Sequence, residues 1–147
     1  MFHNNNYINH IRFNCLYPEM DEFKETACRT IDNASADLQR ISKEIWSNPE
    51  LNFEEHHAHK ILTEFLSDKG FDVTKNFVSD TGFKAVLGSR DYGPNIAVLC
   101  EYDALPEIGH ACGHNLISEA GVAAALGIKS AFEKAGTPMG KVCTKVI

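Results

Sequence analysis

From Asp21 onward apolar residues recur at three- and four-residue spacing: Phe23, Ala27, Ile31, Ala34, Leu38, Ile41 and Ile45. That period predicts one amphipathic helix, ending near Ser47 because Pro49 disfavours a helical Asn48. Trp46, in its last turn, reads as core or domain edge. A second helix is expected over Glu54 to Lys69, with Ala58, Ile61, Leu62, Phe65 and Leu66 as its buried stripe and Gly70 as its C-cap. His56, His57 and His59 lie on this helix but point in different directions around it, so they read as a solvated face rather than a metal cluster. The character then changes to short extended runs. Phe71 to Phe77 and Phe83 to Leu87 are strand candidates joined through the turn-forming SDTG (79–82), hence antiparallel neighbours. After a polar connection from Gly88 to Pro94, Ile96 to Cys100 is a near-continuous apolar run, the mark of an internal strand. Leu116 to Lys134 is rich in Ala and Gly and is interrupted by Glu119, Lys129, Glu133 and Lys134, so it reads as a helix packed closely over the sheet, not a membrane span. GTPMG (136–140) turns the chain, and Lys141 to Ile147 offers one more strand. Residues 1–20, Asn-rich and without sustained period, read as a loosely held leader whose His3 and His10 are solvated, with the folded part covering 21–147.

Strands alternating with helices predict an α/β fold, and such folds place their sites at the carboxyl ends of strands. The stretch NIAVLCEYDALPEIGHACGHNLISEAG (95–121) has this form. The strand emerges into Glu101 and Asp103, a Pro- and Gly-punctuated loop carries His110, Cys112 and His114, and a helix follows. Thiolate and neutral imidazole are the ligands a borderline divalent ion such as zinc prefers. Cys112 and His114, one residue apart in a loop, can aim at one point, beside the positive end of the following helix. Two ligands do not complete a site, so Glu101, Asp103 and His110 are the local candidates for further ligands or supporting partners. The competing reading, a buried apolar Cys112 and polar-loop histidines, is weakened by the acidic strand end just upstream. The chain has no HExxH, no HxE with PCxxC and no CxxC, which excludes a zincin helix, a base-deaminase site and a zinc ribbon.

Composition narrows the setting. With 147 residues and 44% hydrophobic content the chain can form one domain with a real core. A formal net charge of −6 argues against nucleic acid or an anionic membrane as the main partner. Five cysteines without regular spacing fit a reducing compartment better than a disulfide framework. The first residues hold no continuous apolar segment of the kind a secretory signal needs, and no run is long enough for a transmembrane helix. The expectation is a cytoplasmic protein.

EYDALPEIGHACGHN (101–115) closely resembles the signature of the amidohydrolase branch of peptidase family M20, and NPELNFEE (48–55) resembles that family's element at the end of its first helix. The ending with Asn115, where hippurate-type members carry Asp, is most similar to the β-alanyl-lysine-type dipeptidases of that branch. The resemblance spans roughly Phe23 to Lys141. It implies the N-terminal portion of a zinc-peptidase-like, three-layer α/β/α catalytic domain with a mixed sheet, truncated before the lid and dimerisation domain. It implies cleavage of a dipeptide or N-acyl-amino-acid amide bond by water held between two divalent ions, zinc or manganese. On the matching positions Cys112 and His114 are metal ligands, Asp103 is the catalytic acid that orients a ligand or the metal pair, and Asn115 lines the site. Glu101 stands where other branches carry a ligand histidine. Family members are often homodimers. Two departures stand out: Glu107 occupies a loop position where relatives commonly have Gly, and KVCTKVI (141–147) takes the place of the strand that leads relatives into a TPAEE-like segment with the general-base Glu and a ligand Glu. The expectation is therefore a family hydrolase whose catalytic domain is incomplete in this chain, the alternative being an inactive truncated isoform or fragment acting in interaction or regulation. An incomplete sheet also implies an exposed strand edge and self-association.

Overall fold

A computed structural model describes residues 18–137 and 139–145; the expected leader up to residue 17 and the last two residues lie outside them. Four helices and four strands follow in the order α1 (Pro18–Asn33), α2 (Ser35–Ser47), α3 (His56–Asp68), β1 (Asp72–Lys75), β2 (Phe83–Gly88), β3 (Asn95–Leu99), α4 (His114–Ala135) and β4 (Lys141–Lys145).

The single helix expected from Asp21 to Ser47 is two. The chain leaves helical geometry at Ala34 (φ −90°, ψ 0°), although the Ala34 N–H still reaches the Thr30 and Ile31 carbonyls and its own carbonyl accepts from Leu38. The apolar period runs unbroken through the joint, so spacing alone could not mark it. α1 and α2 each pack on α4, and the joint lets both follow it. Trp46, expected in the core or at a domain edge, is 63% exposed.

α3 ends as its sequence predicts. Gly70 takes the left-handed conformation (φ 84°), its N–H reaches the Ser67 carbonyl and the Phe71 N–H reaches the Leu66 carbonyl. This is a Schellman ending, with Phe71 and Leu66 both buried in the core. The start of α3 is capped from a distance: the Glu50 carboxylate accepts from the backbone N–H groups of His57 (2.8 and 3.0 Å) and Ala58 (3.0 Å). A carboxylate at a helix N-terminus satisfies orphan donors and complements the dipole. The three histidines are not one solvated face. His56 is exposed, but His57 and His59 are half-buried, and His59 Nδ1 lies 2.8 Å from the Thr81 carbonyl.

The sheet is mixed, in the order β1-β2-β4-β3. β1 and β2 pair antiparallel as expected, β4 pairs antiparallel with β2 and parallel with β3, and α4 is the crossover between β3 and β4. The 96–100 strand, read from its apolar run as internal, is at the edge among the described residues, with Ile96 51% and Leu99 53% exposed, as an incomplete sheet implies. Its apolar run is real, but β4 covers only one of its sides. α3 packs on β1 and β2, α4 on β3 and β4, and α2 touches both helices, so they share one face of the sheet. Between them lies one core of Leu38, Ile41, Ile45, Leu62, Leu66, Phe71, Phe83, Ala85, Tyr102, Val122 and Leu126 with their small neighbours. The small residues of α4 serve two contacts, not the sheet alone. A Cβ on Gly121 would meet the Cys100 sulfur and the Leu99 carbonyl, and one on Gly127 would press on Ala27 and Ile31 of α1.

Candidate metal centre

Beyond β3 the chain passes through Glu101, Tyr102, Asp103 and Ala104, and three ties hold this tip. Ser118 of α4 donates to the Glu101 carbonyl at 2.7 Å, the Tyr102 hydroxyl donates to the Thr81 carbonyl, and the Ala104 N–H donates to the Glu50 carbonyl at 2.7 Å. Extended geometry sends alternate side chains to opposite sides. Tyr102 therefore goes into the core, 1% exposed and stacked on Phe83, while its acidic neighbours face the loop that carries His114.

That loop is a tight excursion. Leu105 and Gly109 exchange backbone hydrogen bonds around Pro106, Glu107 and Ile108, and a single 3-10 turn (His110–Cys112) leads into α4. Gly109 (φ 60°, ψ −136°) sits where a side chain is not tolerated. Glu107 is at φ 67°, the left-handed region, so an acid where relatives commonly have Gly sits on a backbone that disfavours any side chain. Glu107→Gly is expected to raise stability by about 0.5–1 kcal/mol, the cost of left-handed geometry less the greater entropy of an unfolded glycine. Chemical denaturation checks it, and an unchanged or lower midpoint would show that the side chain stabilises the loop by more than the strain costs.

His114, the first residue of α4, brings the acids together. Its Nδ1 lies 2.8 Å from the Asp103 carboxylate and 3.0 Å from the Asp103 carbonyl. Both are acceptors, so Nδ1 carries the proton and, in the neutral ring, Nε2 keeps its lone pair. Nε2 faces the Glu101 carboxylate at 3.7 Å. Cys112 is exposed, with its sulfur 3.8 Å from the same Asp103 carbonyl. Glu101, Asp103, Cys112 and His114 are thus neighbours, as spacing suggested. Among the described residues, however, no three His, Cys, Asp or Glu side chains are grouped closely enough to hold an ion between them.

The other two candidates are placed differently. Asn115 is buried and its amide donates to Ser42 on α2 at 3.1 Å, which ties the two helices. His110 is 7% exposed, and neither ring nitrogen makes a hydrogen bond of ordinary geometry. Burial pushes its pKa below the usual imidazole value, opposed by the Ile45 backbone alongside it. Glu50, Thr81, Tyr102 and Ser118 escaped the reading of the sequence. Glu50 and Tyr102 carried a signal only as members of NPELNFEE and EYDALPEIGHACGHN; Glu50 joins the end of α2, the start of α3 and the site loop.

A mixed sheet with a βαβ crossover gathers a carboxylate, an imidazole and a thiol where its edge strand meets the crossover helix, an α/β domain with a candidate metal centre. No protein-family model matches the chain. It is 45% identical over 129 residues, 82% of its length, to Xaa-Arg dipeptidase of Mus musculus, and 47% identical over 47 residues to Xaa-Arg dipeptidase of Homo sapiens. Among solved structures it superposes on an aminohydrolase, so described, from methicillin-resistant Staphylococcus aureus (TM-score 0.67, 24% identity, 82% of this chain). It also superposes on a dinuclear metal-binding peptidase of the M20 family from Bacillus subtilis (TM-score 0.60, 23% identity, 75% of this chain). The chain has the fold of part of an M20-type domain. It spans 30% of the length of the mouse protein and 35% of the staphylococcal chain. Among the described residues Cys28, Cys100, Cys112 and Cys143 are free thiols, and no helix is long and apolar enough to cross a membrane.

Proposed function

We propose that this chain supplies one side of a divalent-metal site in a hydrolase that cleaves dipeptides or N-acyl-amino-acid amide bonds in the cytoplasm. The observation that carries it is the posture of His114: Asp103 holds Nδ1, which in the neutral ring leaves Nε2 free on the side of Glu101, while the Cys112 sulfur lies 3.8 Å from the same Asp103 carbonyl that Nδ1 meets. Carboxylate to imidazole to metal is the usual way a ligating histidine is oriented; imidazole and thiolate suit zinc, and the carboxylates would also accept manganese. Cys112 and His114 are the proposed ligands, Glu101 would join them, and Asp103 would orient His114. A divalent ion held by these residues would supply Lewis acidity toward a carbonyl and toward water. The buried His110 stands behind the loop, and Gly109 and Gly113 let the loop turn back so that Cys112 and His114 meet the strand tip. The relatives' name makes dipeptides ending in arginine the first substrates to test.

Equilibrium dialysis against zinc tests the reading. The chain is expected to take up at most one ion, weakly, because the donors present are few. Cys112→Ser is expected to reduce that affinity by more than the roughly 10- to 100-fold that loss of an outer partner costs. Uptake that ignores Cys112→Ser, or two tightly held ions, would overturn it. The absence of a three-donor cluster among the described residues favours a second reading, in which the chain acts through interaction and not catalysis; no zinc uptake at all would support that one.

A further inference from the structure

Behind the strand tip lies a buried polar network to which the metal reading assigns no role. Thr81, in the connection between β1 and β2, is 2% exposed, and its hydroxyl donates to the carboxylate of Glu55, itself 5% exposed and just before α3. The Thr81 carbonyl accepts from the Tyr102 hydroxyl and, at 2.8 Å, from His59 Nδ1. Phe83 lies between the two rings, stacked on Tyr102 and edge-on to His59. Burial, then the neighbouring Glu55, raises the Tyr102 pKa, so the phenol remains a donor.

The position of Tyr102 gives this network its reach. It separates Glu101 from Asp103, the two carboxylates on either side of the His114 ring. A small rotation of the chain about the tip would carry both acids with it, in the same sense. The neighbouring ties at Glu101 and Ala104 act on the backbone, whereas the hydroxyl of Tyr102 anchors the long arm of the side chain and resists that rotation. A simple core residue would not need a buried carboxylate and two hydroxyls, each costly to desolvate unless bonded.

We propose that Glu55, Thr81 and Tyr102 form a positioning network that sets Glu101 and Asp103 against His114 and thereby tunes the affinity of the metal site. The proposal rests on the metal reading above. It places the determinants of that site in the β1–β2 connection and at the head of α3, 20 or more residues away in sequence.

The test uses the full chain at low concentration with cobalt(II) as the probe, read by its d–d absorption and by the thiolate-to-cobalt band that Cys112 should contribute. Tyr102→Phe keeps the stack on Phe83 and removes only the anchoring hydroxyl. It is expected to weaken cobalt binding by roughly tenfold, within the range for loss of an outer partner, and to change the d–d envelope while the far-UV circular dichroism stays that of the wild type. Thr81→Val is expected to weaken binding likewise, and Thr81→Ser, which keeps the hydroxyl, to bind as the wild type does. If Tyr102→Phe folds and binds cobalt with wild-type affinity and spectrum, the network is structural only and the proposal is wrong, while the metal reading stands. If the wild type shows no Cys112-dependent band, the metal reading fails and the proposal falls with it.

Discussion

Gly121→Ala is expected to destabilise the chain by about 3 kcal/mol, the upper part of the range for overpacking a close-packed core. Alanine is normally the better helix former by about 1 kcal/mol, so the sign of the change is itself the test. The added methyl would stand 2.3 Å from the Cys100 sulfur and 2.8 Å from the Leu99 carbonyl. The sulfur is fully buried and the carbonyl is backbone, so neither can step aside. The helix must lift off the end of β3, and His114, seven residues earlier on α4, is expected to move away from Asp103. Urea denaturation of wild type, Gly121→Ala and the double variant with Cys100→Ala measures it. The double variant should recover part of the loss, since it removes the sulfur contact and keeps the carbonyl contact. A single variant as stable as wild type would mean that α4 does not approach the sheet as closely as described.

Self-association is the second large expectation. β3 pairs with β4 on one side only among the described residues, and its edge is flanked by the exposed Ile96 and Leu99. An edge of unpaired N–H and C=O groups bearing apolar side chains and no charge is a template for another strand. The purified chain is therefore expected to associate as its concentration rises, and Ile96→Lys to weaken that association by roughly tenfold or more, about 1.4 kcal/mol. Sedimentation velocity over a concentration series reads both. A monodisperse monomer throughout, or a lysine variant that associates like the wild type, would show that the edge is protected in another way.

How much of this could be read in the sequence depends on the range of the interaction involved. The Schellman end of α3, the β1–β2 pairing and the βαβ crossover are written in nearby residues: Gly70 after an apolar helical stripe, SDTG between two apolar runs, and an Ala- and Gly-rich segment after a strand. Glu107 belongs with them, since its left-handed backbone follows from a loop that closes on itself between Leu105 and Gly109. The break at Ala34 does not, because the apolar period continues through it and the pressure to bend comes from α4, some ninety residues on.

The candidate site divides in the same way. That Glu101, Asp103, Cys112 and His114 gather was legible from a strand end followed by a loop and a helix, because fourteen residues of chain confine them. Which atom of His114 meets which acid was not. Nor was the use of Asn115 to tie α4 to Ser42, or the placing of β3 at an edge, which depends on where β4 returns. Thr81, Tyr102 and Glu55 show the limit most clearly. Glu55 and Tyr102 fall within the two motifs and Thr81 within SDTG, but no local pattern says that the three meet, and they become a unit only when β2, α3 and the tip of β3 pack together. Hydrophobic spacing, turn chemistry and helix ends are properties of neighbouring residues, so the sequence by itself determined the elements and the segment in which the chemistry lies. Strand order, the bend between α1 and α2 and the hydrogen bonds that aim the acids arise from contacts between residues distant in the chain, and only the tertiary structure decided them.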